Sequence, residues 1–325
     1  MIDGETGFDA FTVEAIFIYW HLRMISEGKF MTATTKQAAA ITIRPIAVDD
    51  IEVTGKLVYE AFKHFADQHN FREDFPSVEA GLGFADMWIN HPRVYGVAAE
   101  ENGRFIGSNF LTEIDPIRGV GPITVDPTVQ SRGAGRKLME AVIERGKDAR
   151  GIRLVQEATN TRSMSLYASL GFDIREPLAL MEGMPKGSVS VNTEIRPMTA
   201  EDLEECGRLC NNVHRITRTG ELRDALKYFK PHVAIREGRI VAYASTVTGW
   251  HLNHGVAETE HDLTDLLTGA SASLGEPVSF LLPTRAASFH RWALAAGLRM
   301  IKPLSLMSMG EYHEPRASYF PSVLY

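Results

Sequence analysis

The chain is short of several things, and each shortage removes a class of function. Cysteine is scarce: Cys206 and Cys210 are the only two in 325 residues. A disulfide framework needs more, and no histidine stands at ligand spacing beside them. They lie four apart in a helical pattern, face the same way, and read as small buried hydrophobes. No run of residues is apolar for long enough to span a bilayer. Positive charge is in deficit, with a formal net charge of −7. That argues against a nucleic-acid partner, whose phosphates call for a basic face. Neither a Walker loop with GK[ST] nor a dinucleotide-binding GxGxxG is present. His251, His254 and His261 follow no metal-ligand spacing, so no metal is expected.

The N-terminal stretch FDAFTVEAIFIYWHLRM is apolar, but Glu14 interrupts it and no basic run precedes it. It makes a poor secretion signal. Residues 1–40 read as an extension with a flexible leader, TATTKQAAA, or as an extra helix packed on the domain or a partner. With 44% hydrophobic and 23% charged residues, the remainder is expected to be a packed, cytoplasmic protein long enough for two domains.

An internal repeat supplies the organisation. IRPIAVDDIEVTGKLV (Ile43–Val58) and IRPMTAEDLEECGRLC (Ile195–Cys210) share seven of sixteen positions at an offset of 152. Each reads as a strand, a turn and an amphipathic helix, with Thr199 and Asp202 forming a capping-box pattern. VYGVAAEENGRFIGSNFL is a hairpin turning at Asn102-Gly103, and HVAIREGRIVAYASTV repeats it at Glu237-Gly238. GFDIREPLALM (Gly171–Met181) returns as GLRMIKPLSLM (Gly297–Met307) at an offset of 126. The chain is two copies of one α/β (α+β) unit, ordered β-α-α-β-β-β-α-β-α-β. Each copy should form a bent, mostly antiparallel sheet flanked by helices. The expected boundaries are 41–184 for the first domain, 185–193 for a linker, 194–311 for the second domain and 312–325 for a tail that packs back.

The chemistry concentrates in VDPTVQSRGAGRKLMEAVIERG, Val125 to Gly146. An apolar strand, GPITV, leads into a turn with Gly133 and Gly135, and a helix follows. The first N–H groups of a helix lack partners, and the helix dipole adds positive charge there. Glycine lets an anion approach that mouth, and Arg132 and Arg136 flank it. The pattern points to phosphate or diphosphate; the plain alternative is a tight turn. The spacing Gln130-x-x-Gly133-x-Gly135 after Val125 and Pro127 resembles the acyl-coenzyme A loop of the GCN5-related N-acetyltransferase (GNAT) superfamily. Asn160, seven residues before Tyr167 in LYASLGF, resembles that family's second motif, and the likeness covers roughly Ile41–Met184.

The resemblance implies acetyl-CoA as acyl donor and an amine as acceptor. It implies that main chain around Ile123, Thr124 and Val125 pairs with the pantetheine arm. The amides of Gln130, Ser131, Arg132, Gly133, Ala134, Gly135 and Arg136 would hold the diphosphate, Asn160 would bind the pantetheine, and Tyr167 would protonate the departing thiolate. From the residues alone, Asn160 also reads as a strand-end cap and Tyr167 as core packing. The first domain has no cysteine, which disfavours an acyl-enzyme and favours direct attack in a ternary complex.

The second copy lacks this equipment. At an offset of 126, Tyr167 becomes Ala293 and Asn160 becomes Ala286; near 125, Glu258 and Glu260 fall where Gly133 and Gly135 stand. It reads as a degenerate domain that covers the first, completes an acceptor pocket or holds a partner. The segment YEAFKHFADQHNFREDFPSVEAGLGFADMWIN, with His64, Asp67, His69, Arg72, Glu73 and Asp74, is expected near the acceptor. Glu113 and Asp115 are candidate proton acceptors or plain surface carboxylates. A homodimer stays open as a partner arrangement. Two rival readings are a non-catalytic acyl-CoA sensor and a tandem acyltransferase resembling mycothiol synthase.

Overall fold

A computed structural model describes residues 40–129 and 133–324. The N-terminal extension up to residue 39 and the three predicted loop residues Gln130, Ser131 and Arg132 lie outside the described residues. From Ile41 onward the chain forms one compact unit.

The first copy runs β1 (Ile41–Pro45), α1 (Ile51–His69), α2 (Val78–Ile89), β2 (Val94–Glu101), β3 (Arg104–Thr112), β4 (Ile117–Val120), β5 (Thr124–Val125), α3 (Ala134–Arg145), β6 (Gly151–Glu157), α4 (Thr161–Ser169) and β7 (Asp173–Gly183). The second runs β8 (Thr193–Pro197), α5 (Leu203–His214), α6 (Thr219–Tyr228), β9 (His232–Arg236), β10 (Arg239–Ala244), β11 (Gly255–Ala257), α7 (Glu260–Leu274), β12 (Val278–Pro283), α8 (Ala287–Ala295) and β13 (Arg299–Gly310), and β14 (Ser318–Phe320) follows. The two orders match element for element, except that the third strand of the first hairpin series is broken into β4 and β5.

Local chemistry explains the match. Both hairpins turn on two residues with positive φ, Asn102 and Gly103 in one, Glu237 and Gly238 in the other, the geometry that suits the right-handed twist of paired strands. Both β1 and β8 end at a proline, and a carboxylate three residues past the turn takes the preceding arginine. Arg44 donates to Asp50 at 2.6 and 2.8 Å, and Arg196 donates to Asp202 at 2.7 and 2.8 Å. Asp202 also accepts from the Thr199 amide at 2.7 Å. Cys206 and Cys210 are free and buried among Leu209, Val213 and Leu222, and burial raises both thiol pKa values.

Sheet pairing departs from simple duplication. One sheet has the order β1-β2-β3-β4-β6-β13-β7-β12, with β5 on β3; the other has β14-β11-β10-β9-β8. Strand β13 of the second copy therefore lies between β6 and β7 of the first, and β12 extends the same sheet. The pairs are antiparallel apart from β4 with β6. Through this exchange the two copies share a continuous apolar interior, in which Ala179 and Met181 of β7 pack with Val278, Phe280 and Leu282 of β12.

The tail does pack back. β14 pairs with β11, and beyond it the Val155 amide of β6 donates to the Val323 carbonyl at 3.1 Å. Gly119 leaves the room: a Cβ there would lie 2.5 Å from Leu324 Cβ. Among the described residues no helix is long and apolar enough to cross a membrane.

Candidate active site

Strands β4 and β6 run parallel only from Ile117↔Gly151 to Gly119↔Arg153. Past that point they part. β5 turns toward β3, with Ser108↔Thr124 and Gly107↔Val125, while β6 takes the tail as neighbour. The wedge between them opens into a cleft of about 950 Å³. Its walls include Ile123, Thr124, Val125, Gly133, Ala134, Gly135, Arg136, Asn160 and Tyr167. Nine of the twelve predicted site residues thus border one space; the other three are Gln130–Arg132.

Gly133, whose φ of 92° is left-handed, stands at the N-cap of α3 and brings no side chain to the helix's first N–H groups. Gly133, Ala134, Gly135 and Arg136 border the cleft. A Cβ at Gly133 would meet nothing within 4 Å. At Gly135 it would lie 3.6 Å from Leu166 and 3.9 Å from Val125, ordinary contact distances. Neighbouring protein atoms do not require glycine at 135; a group approaching the backbone from the cleft would. Arg136 donates to Ser169 Oγ at 2.6 Å and lies 3.7 Å from Glu140, so its guanidinium is already engaged.

Asn160 N-caps α4. Its Oδ1 accepts the Ser163 amide at 3.0 Å, which leaves the side-chain NH₂ as the group available to a ligand. Tyr167 is 5% exposed and packs edge-on to Phe172. Burial pushes its phenol up to about 12, with Ser163 as hydrogen-bond partner. A phenol in that range keeps its proton at neutral pH and serves as a donor.

In the second copy the same places are filled differently. Helix α7 is N-capped by Thr259, one residue along from the expected register, so Thr259 stands where Gly133 does. Thr259 Oγ1 accepts the Asp262 amide at 3.2 Å and the Thr259 amide donates to Asp262 at 3.1 Å. That capping box closes the helix mouth with its own side chains. Glu258 is tied to Arg239 at 2.8 Å. Ala286 holds the N-cap position of α8 without the side-chain hydrogen bond that Asn160 makes at α4, and Ala293 is buried in Tyr167's place.

The far end of the cleft is aromatic. Phe62, Phe65, Phe75, Phe84 and Trp88 come from the segment between β1 and β2, Trp250, His251 and Leu304 from the second copy, and Val323 and Leu324 from the tail. Of the polar residues predicted there, His64 and His69 reach the cleft. Asp67 and Glu73 pair with Lys63 at 2.9 and 3.0 Å, and Arg72 pairs with Glu182 at 2.5 Å. Glu113 and Asp115 lie elsewhere. Glu113 pairs with Arg145 at 2.9 Å. Asp115 accepts the Gly220 and Glu221 amides at 3.0 and 2.9 Å, and burial raises it to about 6.

Sequence reasoning missed three buried polar residues at this end. Gln156, 7% exposed, borders the cleft with neither amide atom paired. Glu157 follows it on the opposite face of β6. Lys302 of β13 is 2% exposed; it donates to Asp74 at 2.6 Å and to Glu157. Lys302 occupies the repeat position of Glu176, so a sign change before proline in two otherwise apolar strands was the available signal. Among the described residues no three His, Cys, Asp or Glu side chains are placed to hold a metal. His254 lies 3.3 Å from Glu221 and His261 2.6 Å from Ser190.

Comparison with known proteins fits this geometry. The model of the acetyltransferase (GNAT) family matches residues 58–172. Mycothiol acetyltransferase of Arthrobacter sp. (strain FB24) is 30% identical over 122 residues, 34% of this chain and 36% of that protein. The chain spans between 28% and 36% of the curated relatives it matches. A putative acetyltransferase from Pyrococcus horikoshii shares the fold at a TM-score of 0.69, with 15% identity, over 89% of this chain and 95% of that one. A tandem GNAT protein from the clavulanic acid biosynthesis pathway does so at 0.54, with 15% identity, over 83% and 98%. The match to the acetyltransferase (GNAT) family thus falls on the first copy, whose helix α3 follows Gly133 beside the wedge of parting strands, and the chain as a whole shares its fold with a tandem GNAT protein.

Proposed function

We propose that the chain transfers an acetyl or short acyl group from acetyl-CoA to a primary amine by direct attack in a ternary complex. The observation that carries this reading is the contrast between two helix starts, one at Gly133, which has no side chain to cap it, and one capped by Thr259. Amides from Gln130 to Arg136 would take the diphosphate, and Gly135 leaves space for it. Main chain from Ile123 to Val125 and the unpaired Gln156 amide suit an arm rich in amides. Asn160 has one donor group left for that arm. The carrier supplies an activated acyl group. The chain would hold it with the thioester near Tyr167, whose retained proton is the one a departing thiolate needs. No cysteine borders the cleft, which supports direct transfer over an acyl-enzyme.

Thermal melting with acetyl-CoA and thiol release across an amine panel test the reading. A stabilised protein that releases thiol with at least one amine supports it. No melting shift at millimolar acetyl-CoA would sink it, and a shift with silence across the panel would favour a sensor. Walls from both copies around one cleft support a second reading, a larger acceptor of the kind a mycothiol-synthase-like arrangement would take. Preference for bulky amines over small ones would decide for it.

A further inference from the structure

Along α1, Ala61, Phe62, His64, Phe65, Gln68 and His69 border the cleft. Their spacing is that of one helix face over two turns. Lys63 and Asp67 lie off that face and pair with each other at 2.9 Å. His69, the last residue of the helix, is half-buried at the end of the stripe. Its ring stacks on Phe65 at 4.2 Å and on Phe71 at 5.8 Å, centre to centre. Nδ1 lies 3.0 Å from the Phe65 carbonyl oxygen. A carbonyl only accepts, so Nδ1 carries the hydrogen of the neutral ring and Nε2 carries the lone pair. Among the described residues Nε2 has no partner, and unlike Nε2 of His251 it is not sealed from solvent.

Among the described residues no other titratable group on the cleft wall is free to take a proton. His64 Nε2 lies 2.9 Å from the Gln68 amide nitrogen, which can only donate, so its lone pair is used. Arg136 and Arg162 carry guanidinium groups, which stay protonated. Glu157 spends one oxygen on Lys302, and its other oxygen is sealed from solvent. Tyr167 keeps its proton. Burial holds His251 down at about 4, too weak a base for an amine.

Resting on the transferase reading above, we propose that His69 Nε2 is the base that deprotonates the acceptor amine. The amine reaches the cleft as an ammonium, because alkylamines hold their proton at neutral pH. The aromatic walls favour its neutral form. Nε2 takes the first proton and releases it to water. The amine nitrogen then bonds to the acyl carbon, and the carbon–sulfur bond breaks. The second N–H proton passes to Nε2, and Tyr167 gives its proton to the thiolate. The proton on Nε2 returns to Tyr167 by way of solvent, so one proton is released for each amide formed. Phe65 and Phe71 are positioning residues: the Phe65 carbonyl fixes the tautomer, and the two rings fix the plane of the imidazole.

The test uses 2-phenylethylamine and 2,2-difluoro-2-phenylethylamine as acceptors for the full chain with acetyl-CoA. The two share one frame, and the fluorines make the second amine weakly basic, so it arrives mostly neutral at pH 7. His69→Asn keeps a donor for the Phe65 carbonyl and removes Nε2. It should lower kcat for 2-phenylethylamine about a hundredfold at pH 7, and for the difluoro amine less than about tenfold. Its kcat/KM for 2-phenylethylamine should climb about tenfold per pH unit between pH 7 and pH 9, as the neutral fraction grows, while the native profile stays nearly flat. Both proteins should keep the acetyl-CoA melting shift. His69→Gln, with the same expected outcomes, replaces His69→Asn if that variant loses the shift. Equal losses with both amines, parallel pH profiles or an unchanged kcat would overturn the assignment. So would a native chain that shows the shift and uses neither amine. Absence of the shift in the native chain would instead sink the transferase reading.

Discussion

Replacing Gly135 by glutamate separates folding from ligand binding, because the two effects have opposite signs. Gly135 is the second residue of α3. A side chain there meets only ordinary contacts, at 3.6 and 3.9 Å. Glutamate has a higher helix propensity than glycine by about 0.5 kcal/mol or more. An acid in the first turn gains a further ~0.3–1 kcal/mol from the helix dipole. The free variant should therefore melt at or above the native temperature. Binding should behave oppositely. A carboxylate about 4 Å from a phosphate charge costs about 1 kcal/mol in water and about 4 kcal/mol near a protein surface. At a ligand concentration one hundred times Kd, the native protein gains about 2.7 kcal/mol. A tenfold weaker site leaves about 1.4 kcal/mol of that, and a thousandfold weaker one leaves almost nothing. Differential scanning fluorimetry with and without acetyl-CoA reads both quantities on one sample. A variant that melts no lower than the native chain and responds fully to acetyl-CoA would refute the reasoning, since the helix mouth would then not be the anion site.

Two other outcomes follow from the site and its surroundings. Tyr167→Phe should lower kcat by about a hundredfold to ten-thousandfold and leave the acetyl-CoA melting shift intact, which steady-state kinetics beside fluorimetry will show. Stability should fall on acidification from pH 7 to pH 5. Burial holds His251 and His254 down at about 4, so the folded state resists protons that the unfolded chain binds below about 6.5. Asp115, raised to about 6 by burial, opposes this by favouring the folded state as it protonates. These three groups together give a net loss of about 2 kcal/mol at pH 5, to which His214 and His232, also held down by burial, add in the same direction, measurable by urea titration at each pH. Unchanged stability between the two would contradict neutral burial of these histidines.

Much of the fold could be read from local signals. The β-α-α-β-β-β-α-β-α-β order, both hairpins and the glycine turn before α3 rest on patterns within a few residues of one another, and the repeat offset of 126 gave Ala293 in Tyr167's place. The strand exchange could not be read this way. DIREPLALM and RMIKPLSLM are nearly the same strand, and nothing local tells β6 to pair with β13 before β7. That choice is made by the whole sheet, and it carries Lys302 against Glu157 and Asp74 of the other copy. Asn160 showed its helix-capping use only once α4 was placed after it. Glu113 and Asp115 looked available as bases because their partners, Arg145 and the α6 amides, lie 32 and more than 100 residues away.

Isothermal titration of the full chain with acetyl-CoA measures the central claim most directly. One site per chain is expected, abolished or weakened at least tenfold by Gly135→Glu and indifferent to Thr259→Ala. Two sites per chain, or a single site lost with Thr259→Ala and retained with Gly135→Glu, would contradict it.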